Sequence, residues 1–213
     1  MPVSLPYKIE ACVVDYEQAI AAADRGADRL ELCSRLETEG MTPGVELASH
    51  IIEAVNIPVR IMIRETETGF ESDEQVLLKM ESAISQFKSI AIDGFVIGLI
   101  KDNRIDREAT ARLVECCMPF PVTIHKAIDH SEHVEDDLLW LNQFPTVDTI
   151  LTSGGKSTAK DGIEGIRKMK SVFRRNIMAA GKITHDQLPM LHDALSLPWY
   201  HGRNILAPFT SET

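Results

Sequence analysis

Glu10 with Cys12 and Glu31 with Cys33 repeat one spacing, a glutamate followed two residues later by a cysteine. Each pair falls in a short apolar run, where alternate side chains share a face if the run is extended. A glutamate is seldom buried without a partner, so two such pairs call for a chemical explanation. One is acid–base work, in which carboxylates and a histidine move protons while an arginine grips a substrate carboxylate or phosphate. Arg64, in step with Met62, and His125, in step with Thr123, supply those groups if all face one way. The second explanation is metal binding. Two thiolates on adjacent strands, about 4.8 Å apart, can hold a soft monovalent ion such as Cu(I) in near-linear geometry. The third is structural: a satisfied network of Glu10, Glu31 and Arg64, with the thiols filling space.

Further residues of interest end later apolar runs. The stretch Gly154-Gly155-Lys156-Ser157-Thr158 resembles the end of a phosphate-binding P-loop, but the pattern needs a glycine where Ile150 stands. Ser153 and Gly154 are nevertheless candidates for holding an anion or cofactor, because a glycine turn before a helix leaves backbone N–H groups free; a tight turn alone is the other use of these glycines, and the favoured one. Gly181 lies where barrels often bind phosphate, and His201 either faces the same opening or caps it. Cys116 and Cys117 read as packing residues, and His130 and His133 as a solvated loop.

The elements that must position these residues follow from repetition. Eight apolar segments, at 8–13, 29–33, 59–64, 94–98, 122–127, 149–154, 177–181 and 198–202, are separated mostly by helical periodicity. A strand followed by a crossover helix is a βα unit. Eight such units predict an α/β fold, a closed (β/α)8 TIM-type barrel whose reactive groups sit at the C-terminal strand ends. Asp15 reads as an N-cap and Gly26 as the stop of the first helix, while Thr42 and Pro43 read as the start of the second. No linker divides residues 1–213, so a single domain is expected. The tail after Gly202 is too short for a normal eighth helix. That shortfall predicts a bare apolar flank between the first and last strands, and hence a homodimer.

Bulk properties exclude several classes. A formal net charge of -10 and a pI of about 5.2 argue against nucleic-acid binding, which needs a basic footprint. The longest apolar run is too short to span a bilayer, and the N-terminal residues lack a secretory pattern. A cytoplasmic protein with reduced cysteines is expected.

The chain resembles the CutC family, named for copper homeostasis. The resemblance is carried by Glu10-Ala11-Cys12, by Gly26-Ala27-Asp28-Arg29-Leu30-Glu31-Leu32-Cys33, and by Gly40-Met41-Thr42-Pro43 and Met62-Ile63-Arg64. It continues through residues 121–129, Leu151-Thr152-Ser153-Gly154 and His201-Gly202. It implies a TIM barrel, a cytoplasmic location and a role in copper handling, with Cys12 and Cys33 as ligands for Cu(I). The chain departs from the family pattern at residues 65–70, at Lys126 and Ile128, and at Ala179-Ala180-Gly181. An enzyme acting on a small anionic metabolite, with Glu10, Glu31 and His125 as acid–base groups and Arg64 as clamp, is the alternative.

Overall fold

The structure, a computed structural model, describes residues 5–71 and 73–207. The N-terminal residues 1–4, Ser72 and the tail from Pro208 lie outside them. Eight strands run β1 (Lys8–Val13), β2 (Arg29–Leu32), β3 (Val59–Met62), β4 (Gly94–Ile97), β5 (Val122–Ile124), β6 (Val147–Thr152), β7 (Asn176–Ala179) and β8 (Trp199–Gly202). They pair in parallel and in chain order, and β8 closes on β1, giving the expected barrel. Seven helices follow the strands: α1 (Tyr16–Asp24), α2 (Val45–Ala54), α3 (Glu74–Phe87), α4 (Arg107–Cys117), α5 (Val134–Leu141), α6 (Ile163–Val172) and α7 (Leu188–Leu195). Among the described residues no helix follows β8.

Helix starts are chemically marked. Asp15, Asp73 and Asp106 each accept from the backbone N–H three residues on, at 2.8, 2.8 and 3.0 Å. Each such cap stabilises its helix by about 1 kcal/mol. Gly26, at φ +85°, ends α1 in the left-handed conformation. The expected start of α2 is displaced. Gly44 is its N-cap, while the Thr42 hydroxyl exchanges hydrogen bonds with the backbone of Arg64, at 3.0 Å each way. A tertiary partner has outbid the local cap.

Strand parity divides the interior. Ile9, Ala11, Val13, Leu30, Leu32 and Ile61 belong to the large apolar cluster between sheet and helices. The opposite face forms a separate cluster of Cys12, Cys33, Met62 and Val96 inside the barrel. Below it the barrel is filled by charge. Arg60 bonds Asp148 at 2.6 and 2.8 Å, Thr123 at 2.5 Å and Asp93 at 3.0 Å. Arg29 stacks on Trp199 at 4.2 Å.

The flank expected to be bare is covered. Ile9, Ala11 and Val13 are buried, as are Ile205 and Leu206, which follow β8 as irregular chain. Arg25 pins that segment by donating to the carbonyls of Leu206 and Ala207, both at 2.6 Å. The sequence pattern also did not reveal a small hairpin, Ile100–Lys101 against Arg104–Ile105, turned by Asp102 and Asn103 at positive φ. Ile100 N–H donates to the carbonyl of Phe70, fixing a residue of the mouth.

Candidate functional site at the barrel mouth

Glu10, Cys12, Glu31 and Cys33 all point into the barrel, as their parity requires, and His201 joins them from β8. Glu10 is fully buried between Arg29 Nε at 2.5 Å and His201 Nδ1 at 2.8 Å. The far nitrogen of the same ring, Nε2, lies 3.5 Å from Glu31. Cys33 Sγ donates to Glu31 at 3.4 Å, and the Sγ atoms of Cys12 and Cys33 are 3.8 Å apart. The ladder explains the contact. Cys12 pairs with Glu31 rather than with Cys33, so the thiols meet across a stagger of two residues.

The shared setting drives like groups apart. Burial works to raise the Glu10 carboxyl, but Arg29 and His201 outweigh it and hold the group down to about 2. Glu31 has no such guanidinium; burial, with the charges of Cys12 and Glu10, pushes it up to about 8. Contact with Cys33, aided by His201, draws the Cys12 thiol down to about 5 against its burial. The same contact and burial raise Cys33 well above the ordinary thiol value. Burial would lower His201, yet Glu31 and Glu10 hold it protonated. Like groups in one mouth are thus driven to opposite sides of their ordinary values, one carboxyl and one thiol down and the other of each kind up.

Two triads bring ligand-type atoms within 4.8 Å of one another, Cys12–Glu31–Cys33 and Glu10–Glu31–His201. Glu31 Oε1 is buried without a partner. Metal–sulfur bonds of about 2.3 Å place two thiolates about 3.8 Å apart when tetrahedral and about 4.6 Å apart when linear. The observed 3.8 Å thus fits a bent S–metal–S unit with a third donor rather than the near-linear one expected from strand spacing.

The remaining sequence candidates part company. His125 borders the mouth cavity, but burial and Arg64 hold its ring neutral, down to about 3. Arg64 does not border the cavity. Its guanidinium holds loop carbonyls, Thr38 at 2.7 Å and Gly69 at 2.9 Å, and stacks on Phe70 at 4.7 Å. Ser153 and Gly154 also stay outside. Asp129 fills the glycine turn from within, accepting from Ser153 N–H and Oγ–H at 2.8 Å and from Gly155 N–H at 3.0 Å. An internal carboxylate sits where an anion was expected. Gly181, at φ +107°, does line the cavity, as does His201.

Sequence reasoning missed Arg29 and Arg60, whose parity with Glu31 and Met62 was available as a signal. It also missed His130, which borders the cavity and packs on Phe70 at 5.0 Å. That histidine belongs to a 3-10 turn, Lys126–His130, not to a free loop.

With this geometry established, relatives can be placed. The fold is shared with a crystal structure from Streptococcus agalactiae of a protein named CutC, with a TM-score of 0.84 at 24% identity over 93% of this chain and 99% of that one. It is also shared with phosphoribosyl anthranilate isomerase from Thermotoga maritima, with a TM-score of 0.59 at 13% identity over 92% and 86%. The human copper homeostasis protein cutC homolog is 33% identical over 200 residues, 92% of this chain and 72% of that protein. The Caenorhabditis elegans homolog is 30% identical over 202 residues, 92% and 79%. The sequence pattern of the CutC family matches residues 7–204, which include all five mouth residues, and the chain belongs to that family.

Proposed function

We propose that this protein binds Cu(I) in the barrel mouth, with Cys12 and Cys33 as ligands and Glu31 as the third donor. The observation that carries the reading is the sulfur pair at 3.8 Å, since soft thiolate donors select a soft ion, with an unpartnered carboxyl oxygen of Glu31 beside it. The copper homeostasis names of its relatives support it. In anaerobic competition against a Cu(I) chelator, the Cys12→Ser, Cys33→Ser double variant should lose at least about a hundred-fold in affinity, roughly 3 kcal/mol. Unchanged affinity in that variant would overturn the reading. A second reading, an acid–base enzyme, would then stand on the separation of Glu10 from Glu31, since carboxyls driven apart in pKa divide acid and base roles.

The cytoplasm is the proposed compartment, because Cu(I) ligation needs reduced thiols and all four cysteines are free. A homodimer remains proposed, but not through the flank between β1 and β8, which Ile205 and Leu206 cover. Light scattering at micromolar concentration should give twice the chain mass; a single-chain mass removes the dimer.

A further inference from the structure

The mouth contains more recognition chemistry than a metal ion would use. Above the thiols lies a cavity of about 290 Å³, near the lower bound for small-molecule sites. Three cationic side chains border it: Lys126 after β5, Lys182 after β7 and Arg203 after β8. None of the three forms an ion pair with a described residue. The acidic side chains bordering the same space are Glu39, exposed on the rim, and Glu31 on the floor. In a chain of net charge -10, unpartnered cations gathered at one opening concentrate anions there.

A second, independent feature points the same way. His125 is 3% exposed, and its Nδ1 accepts from the backbone N–H of Ala127 at 3.1 Å. Accepting at Nδ1 places the ring proton on Nε2. That Nε2 is buried and has no partner. An unsatisfied buried donor costs about 1–3 kcal/mol, and most buried polar groups avoid that cost. Here the ring cannot turn away, since Nδ1 and Cε1 lie against Gly98, where even a methyl group would approach both atoms to 2.6 Å. The ring is thus locked as a neutral hydrogen-bond donor bordering the cavity, while Phe70, packed on it at 5.2 Å, offers apolar surface.

We propose that the mouth cavity is a binding site for a small organic oxyanion, a carboxylate or phosphate, whose oxygen accepts from His125 Nε2–H and whose charge lies among Lys126, Lys182 and Arg203. The loops after β7 and β8 are where barrels commonly hold such groups. The site differs from the anion clamp the sequence suggested, since neither Arg64 nor the Ser153–Gly154 turn takes part. It rests on neither the copper reading nor the acid–base one.

The test follows the His125 Nε2–H resonance by NMR during titration with inorganic phosphate in one arm and malonate in the other. Sodium chloride at matched ionic strength serves as control. A saturable shift is expected in at least one oxyanion arm and none in chloride; the arm that saturates identifies the headgroup. The Lys126→Gln, Lys182→Gln variant, altered only at the surface, should bind roughly ten-fold or more weakly. The Cys12→Ser, Cys33→Ser variant, which removes a thiolate from the floor of the cavity, should bind the oxyanion no more weakly than the parent chain, which separates this site from the copper site. No saturable shift in either oxyanion arm, an equal shift in chloride, or full affinity in the double-lysine variant would overturn the proposal.

Discussion

Alanine at Gly162 is expected to abolish the folded state or to lower its stability by more than about 4 kcal/mol, a large share of what a domain of this kind has. A Cβ at this position would lie 1.8 Å from the carbonyl oxygen of Ser153 and 2.8 Å from its carbon. The contact is reciprocal. A Cβ on Gly154 would meet the Gly162 carbonyl oxygen at 2.2 Å, and one on Gly165 would meet the Gly154 oxygen at 2.3 Å. Three glycines therefore press the exit of β6 directly on the start of α6. Ordinary overpacking costs about 1–3 kcal/mol because side chains yield. Here Ser153 is held by Asp129 and Gly154 N–H by Thr152 Oγ1 at 2.8 Å, so neither backbone can retreat. Gly26→Ala is the control. It has open space around it but φ +85°, and should cost only about 1–2 kcal/mol for the left-handed conformation. Urea midpoints of the two variants decide the matter, and a Gly162→Ala protein as stable as Gly26→Ala would refute the close-approach account.

The same glycines show what the chain reveals by itself and what it conceals. Their presence before a helix was readable and suggested an anion. Their use depends on Asp129, more than twenty residues away, whose carboxylate already occupies the turn. Local pattern cannot report such a partner. Period-two alternation, by contrast, is a local property, so the inward aim of Glu10, Cys12, Glu31 and Cys33 was legible from β1 and β2 alone. The barrel was legible for the same reason, through eight repeated units. His201 was left without a direction because its neighbours in β8, Trp199 and Tyr200, are both large aromatics, which give no polar–apolar alternation to mark a face. Arg64 obeyed its parity yet missed the cavity, because the loops around Thr38 and Gly69 folded over and claimed its guanidinium. Side-chain direction follows from the strand; partnership follows from loops, whose course the strand pattern does not set. Of the cations of the proposed oxyanion site, Lys182 stands beside the Gly181 that the sequence marked, while Lys126 and Arg203 escaped because each leaves a different strand.

Glu10 and Glu31 occupy equivalent places in adjacent strands, and replacing each by glutamine should nevertheless move stability in opposite directions. Glu10 sits far below the ordinary carboxyl value of 4.5, at about 2, with burial outweighed by Arg29 and His201. The unfolded chain takes up that proton first as pH falls. Ionised Glu10 thus stabilises the fold above pH 4.5, and its contribution fades as pH drops through about 2. Glu10→Gln leaves buried Arg29 only the more distant Asp93, at 3.8 Å, and should cost roughly 3 kcal/mol at pH 7. For Glu31 the sign reverses. Burial, Cys12 and Glu10 raise it to about 8, so the folded chain keeps a proton that the unfolded chain releases above pH 4.5. Rising pH between the two values therefore destabilises the parent protein. Glutamine resembles the neutral acid in shape and carries no such penalty. Glu31→Gln should match the parent near pH 4.5 and exceed it by more than about 1 kcal/mol at pH 8, read from urea midpoints at pH 5, 6.5 and 8. A Glu31→Gln variant less stable than the parent at pH 8 would mean that Glu31 is ionised in the fold. The neutral acid at Glu31 would then be lost. With it would go the division of labour at the mouth, in which Arg29 fixes one carboxylate as a permanent charge and leaves the other able to surrender a proton to a ligand.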